Sequence, residues 1–71
     1  MIEYKGYIGE FYFDSNEKIF HGDVIGLKDI ITFQGFTQQE VIQAFRDSVD
    51  DYISWRKEIE EKRDKDLIKN E

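Results

Sequence analysis

The chain has 71 residues, no cysteine and a formal net charge of −6. Such a length allows one domain, near the lower limit at which a single core holds a fold unaided, and the lack of cysteine excludes disulfides and thiolate-bound metal. Residues 1–55 hold four Lys or Arg against ten Asp or Glu, whereas residues 56–71 hold six of each, so the acidic body is a poor surface for nucleic acid, which needs a basic one.

Six Phe, four Tyr and one Trp must supply the core, because large rings bury much area per ordered residue. No apolar run approaches the roughly 18 residues of a membrane span. The N-terminus, MIEYKGY, lacks the basic and apolar regions of a signal peptide. The cytoplasm is the expected location.

Taken in chain order, residues 6–14 (GYIGEFYFD) alternate, with Tyr7, Gly9, Phe11 and Phe13 on one face and Ile8, Glu10 and Tyr12 on the other. Period 2 with aromatic enrichment predicts a half-buried strand. The polar cluster DSNEK (14–18) predicts a turn. Residues 19–26 alternate again, setting Phe20, Gly22 and Val24 against Ile19, His21, Asp23 and Ile25. After a break at GLKD (26–29), the run IITFQ (30–34) predicts a third strand with Ile31 and Phe33 on one face. Short polar connections favour antiparallel neighbours.

The run GFTQQE (35–40) predicts a sharp exit into a helix. Thr37 and Glu40 have the spacing of a capping box, with the Thr hydroxyl accepting from the backbone three residues on and the Glu reaching back to the Thr N–H. Phe36 and Val41 are placed to form a hydrophobic staple, and Gly35 supplies backbone freedom at the exit. Beyond the cap, Val41, Ala44, Phe45, Ser48, Val49, Tyr52 and Ile59 recur at helical spacing, with Trp55 beside the stripe and Arg46, Asp47, Asp50 and Asp51 opposite. The expected fold is therefore α+β: a three-stranded antiparallel β-meander with one long C-terminal helix across one face. Residues 1–55 form the core. Residues 56–71 form a charged helical extension that frays towards its end, carried by the i, i+4 pairs Lys57–Glu61, Glu58–Lys62 and Glu61–Lys65.

A sheet with one helix leaves its second face open. That face is expected to display Ile8, Glu10, Tyr12, Ile19, His21, Asp23, Ile30, Thr32 and Gln34. Exposed Ile and Tyr among carboxylates suit a partner surface, and an acidic face suits a basic partner; scattered apolar residues and simple solubility account for the same composition. Glu10, His21 and Asp23 offer one imidazole and two carboxylates for a divalent ion, although nothing in their spacing makes them converge. With one His, no Cys and no glycine-rich phosphate loop, neither nucleophilic catalysis nor a cofactor is expected.

Three stretches, YKGYIGEFYFD, FHGDVIGLKDIITFQGFT and AFRDSVDDYISW, span residues 4–55 in order and resemble the small N-terminal domain of the HicB antitoxin family. The resemblance implies a β-β-β-α core of degraded ribonuclease-H-like type without nuclease residues. It also implies a role in a bacterial toxin–antitoxin system, in which such a domain binds and occludes a small basic HicA-type ribonuclease. Family members usually continue into a DNA-binding segment, and the charged tail here has no such pattern, so operator binding is not carried over. Candidate partner-binding residues are Glu10, Tyr12, His21 and Asp23 on the open face, with Asp50 and Asp51 on the helix. Two alternatives are a self-associating domain, with a homodimer as its product, and a residual metal-dependent nuclease using Glu10, His21 and Asp23.

Overall fold

The computed structural model describes the backbone of residues 1–69 and the side chains of residues 1–61. Strands β1 (Ile2–Tyr4), β2 (Tyr7–Asp14), β3 (Ile19–Ile25) and β4 (Thr32–Gly35) form one antiparallel sheet in the order β1-β2-β3-β4, followed by helix α1 (Gln38–Lys69). The α+β arrangement of one antiparallel sheet and one helix is as expected. The strand count is corrected from three to four.

The additional strand is a product of its turn. Tyr4 pairs with Tyr7, so only Lys5 and Gly6 connect β1 to β2, and both have positive φ, at 51° and 84°. Two central residues with positive φ define the I′ turn, whose twist matches that of the strands it joins. At the next turn, the Asp14 carboxylate accepts from the backbone N–H of Asn16 and Glu17 at 2.9 and 3.3 Å. The last strand begins two residues later than expected: Val24 N–H donates to the Ile31 carbonyl at 3.0 Å, but Ile30 lies in the connection, 92% exposed.

On the helix-facing side the register makes two central cross-sheet rows, Ile2–Gly9–Val24 and Phe11–Gly22–Phe33, and a third, Phe13–Phe20–Gly35. Each row contains one glycine, and in each case what matters is space. A Cβ on Gly9 would lie 2.7 Å from the Phe45 ring, one on Gly22 would lie 2.3 Å from Phe33, and one on Gly35 would lie 2.5 Å from the Val41 backbone nitrogen. The glycines thus form a trough across β2, β3 and β4 into which α1 and the mutually tilted Phe33 and Phe45 rings (centroids 5.3 Å apart) settle. Val24, Phe33, Val41, Phe45 and Val49 are the buried centre, ringed by Ile2, Tyr4, Tyr7, Phe11 and Phe20 among others. Ile19 falls on the open side by register, as expected, but is buried there, outside that cluster.

At the helix start, Glu40 N–H donates to the Thr37 hydroxyl at 3.1 Å and Val41 N–H to the Thr37 carbonyl at 3.0 Å. The return bond differs from the expected box: the Glu40 carboxylate accepts from the N–H of Phe36, at 2.7 Å, rather than from that of Thr37. Phe36 itself is 71% exposed while Val41 is fully buried, so the staple is not made. Gly35 has no left-handed φ; its part is to let the helix backbone approach.

Val41, Phe45, Val49 and Tyr52 carry the buried stripe, after which Trp55 and Ile59 emerge from the sheet's cover. The helix continues without a break to Lys69, so residues 56–69 extend the element that closes the core. Thirty-two residues at about 1.5 Å each give a rod of about 48 Å, which sets the molecule's 56 Å long axis. Among the described residues the Lys57–Glu61 ion pair is not closed. The pairs Glu58–Lys62 and Glu61–Lys65, and fraying at residues 70–71, lie outside the described residues. No helix among the described residues is long and apolar enough to cross a membrane.

Candidate functional site: the open acidic sheet face

The face of the sheet turned away from α1 is built by the same register. Its cross-sheet rows are Glu3–Ile8–Ile25, Glu10–Asp23–Thr32 and Tyr12–His21–Gln34, with Asp14 beside Ile19 at the end. Alternation along each strand sends these side chains outward because their neighbours are committed to the core. None of these positions is Lys or Arg. Glu10 and Asp23 sit directly opposite each other, an arrangement in which like charges destabilise a sheet. Among the described residues neither they nor Glu3 has an ion-pair partner.

Between the last two full rows runs an open groove of about 510 Å³. Gly22 and Phe33 form its floor, Tyr12, His21 and Gln34 line one side, and Asp23 and Thr32 line the other. Tyr12 is 64% exposed and its ring lies 5.9 Å from the His21 ring. An aromatic wall facing a carboxylate wall can hold a partner's cation, by cation–π attraction on one side and by charge on the other.

The candidate residues divide into two groups. Glu10, Tyr12, His21 and Asp23 share the open face, as expected. His21, however, turns away from Glu10 and Asp23: its Nε2 lies 3.3 Å from Glu17 Oε2 and 3.8 Å from Asp14 Oδ2. Among the described residues Glu10, His21 and Asp23 do not form a converging ligand set; Asp14, Glu17 and His21 do. Asp50 and Asp51 belong to α1, across the sheet from this face. Asp50 is tied to the β1–β2 hairpin, accepting from Lys5 Nζ at 2.8 Å and from the Tyr4 hydroxyl at 3.2 Å. The Lys5 hydrogen bond holds the Asp50 carboxyl below its ordinary pKa, and the same bond raises that of Lys5. Asp51 is exposed.

Glu3 adds a carboxylate that the sequence reading missed, since β1 was not recognised. The signal was present in Ile2-Glu3-Tyr4, which alternates before Lys5-Gly6 and a second alternating run. A separate feature lies where α1 leaves the sheet. The Tyr52 hydroxyl donates to Asp29 at 3.0 Å, and Arg56 donates to the same hydroxyl at 3.5 Å, raising the Arg56 pKa. Half-exposed Trp55 and Ile59 border a hollow of about 540 Å³ there, with Leu27 on its far side.

Comparison of the chain with protein-family models, with curated proteins and with solved structures finds no match. The similarity to HicB-like domains accordingly rests on the quoted motif residues alone.

Proposed function

We propose that the chain is a binding module rather than an enzyme, an antitoxin-like domain that neutralises a small basic HicA-type ribonuclease by covering its active surface. The observation that carries it is the open sheet face, which bears Glu3, Glu10 and Asp23 without a basic strand residue and sets two of those carboxylates against each other. A fold that tolerates such repulsion is relieved of it when a partner's Arg or Lys enters between the carboxylates. One antiparallel sheet with a helix across one face suits the β-β-β-α core that the resemblance implies, with β1 as an addition at the edge.

The test is cleavage of RNA by a purified HicA-type ribonuclease in the presence of increasing amounts of the chain. Stoichiometric loss of cleavage is expected, together with recovery of cleavage when the chain carries Glu10→Lys and Asp23→Lys. Both residues are exposed, so the double variant should retain the melting temperature of the parent. Undiminished cleavage, or equal inhibition by the double variant, would overturn the assignment to this face.

Self-association is the second reading, favoured by Trp55 and Ile59 at the helix's exit from the sheet. Light scattering separates the two. A mass that rises with concentration and returns to one chain in Trp55→Ser supports the dimer, whereas a constant monomer mass removes it.

A further inference from the structure

The β2–β3 turn gathers three side chains of metal-binding type, of which only His21 also lines the acidic groove. Asp14 ends β2, Glu17 lies on the turn and His21 is the third residue of β3. Asp14 pairs with Ile19, so His21 stands two residues further along the neighbouring strand with its side chain on the same face. Glu17 reaches over from the turn to meet them. One ligand atom from each of the three lies within 4.8 Å of the others. The two shorter separations are 3.3 Å from His21 Nε2 to Glu17 Oε2 and 3.8 Å from the same nitrogen to Asp14 Oδ2.

These separations have the scale of the edges of a coordination polyhedron. An ion held tetrahedrally at about 2.0–2.2 Å from nitrogen and oxygen ligands has ligand–ligand edges of about 3.3–3.6 Å. Closing the set around an ion therefore calls for side-chain rotation, chiefly of the exposed Glu17. The Asp14 carboxylate is already positioned for it: Oδ1 accepts two backbone N–H groups of the turn, and Oδ2 is left towards the imidazole. Such outer hydrogen bonds orient a ligating carboxylate.

The geometry points to a three-ligand site for a zinc-type divalent ion at the β2–β3 turn, formed by Asp14 Oδ2, Glu17 Oε2 and His21 Nε2, with water completing the coordination. Two carboxylates offset the charge of the ion, and the imidazole nitrogen selects zinc, nickel or copper over magnesium and calcium, which prefer all-oxygen sets. The ligands bridge the end of one strand and the start of the next, so the ion also pins the hairpin. With water completing its coordination, it is an exchangeable site.

The test is titration of the chain with zinc chloride in chelator-free buffer, followed by calorimetry and by amide NMR. One equivalent is expected to bind, with shifts centred on residues 14–21 and a rise in the melting midpoint. His21→Gln should bind at least tenfold more weakly. Glu17→Gln should do the same, and because this side chain is exposed on a turn, its fold is not in question. Glu10→Gln should bind like the parent, and magnesium at equal concentration should leave residues 14–21 unshifted. Parent-like binding by His21→Gln and Glu17→Gln, equal shifts with magnesium, or shifts spread over Glu10, Asp23 and the helix carboxylates would overturn the site.

Discussion

Thr37 makes one hydrogen bond that decides where the helix begins, from the backbone of Glu40 to its hydroxyl. Thr37→Ala should cost about 1 kcal/mol, seen as a fall of about 4–8 °C in the melting midpoint for a domain of this size; an unchanged midpoint would show that the Glu40–Phe36 bond carries the cap alone. Gly22→Ala should cost more. Its Cβ would press on the Phe33 ring at 2.3 Å and on the Glu10 carbonyl at 2.6 Å, and overpacking of this kind costs about 1–3 kcal/mol, measurable by urea unfolding. The cap was legible in the sequence because Thr and Glu at that spacing leave few other uses. The glycine trough was not: Gly9 and Gly22 read only as members of a strand face and Gly35 as backbone freedom at the helix entry, until the register placed one in each row under α1. His21 was legible as a chemical residue but not in its direction, because its partners are Asp14 at the end of β2 and Glu17 on a turn that contains the left-handed Lys18 (φ 57°).

The β1–β2 hairpin is joined to α1 by Lys5 and Tyr4, both bonded to Asp50. Because Asp50 titrates below its ordinary 3.8 in the folded chain, its contribution is present above that value and lost as pH falls through the depressed pKa. Because Lys5 titrates above its ordinary 10.5, its contribution is present below that value and lost as pH rises through the raised pKa. Asp50→Asn should therefore flatten the fall of the melting midpoint at both ends of the pH scale. Much of the difference from the parent should vanish in 1 M salt, since both side chains are solvent-screened. An identical pH profile for parent and variant would show that the pair ties nothing. Strands β2 and β3 were legible because seven or eight alternating residues outweigh noise, whereas β1 has three and a Lys-Gly turn in place of the commoner Asn-Gly or Asp-Gly. The late start of β4 was hidden because Ile30 and Ile31 read as strand residues, while only Ile31 reaches the ladder.

At the scale of the molecule, one sheet has two different sides: a helix-covered side of aromatic and branched residues and an open side of carboxylates, Tyr12 and His21. The two-sidedness was readable from period 2 alone, and so was the acidity; the groove was not, because it needs the Tyr12–His21–Gln34 and Glu10–Asp23–Thr32 rows to be in register. An acidic face that docks a basic protein accelerates the encounter at low salt. The association rate with a HicA-type ribonuclease should thus fall several-fold between 50 mM and 500 mM salt, read by stopped flow, and the dissociation rate should change less; a salt-independent association rate would remove steering from the mechanism. The clasp between Lys5 and Asp50 also bears on time. It joins residues 45 positions apart, whereas β2 and β3 close through a four-residue turn, and distant closures are entropically late. The clasp, unlike the two-residue β1–β2 turn, is thus expected to shut late, and Asp50→Asn should quicken unfolding and leave the folding rate nearly untouched.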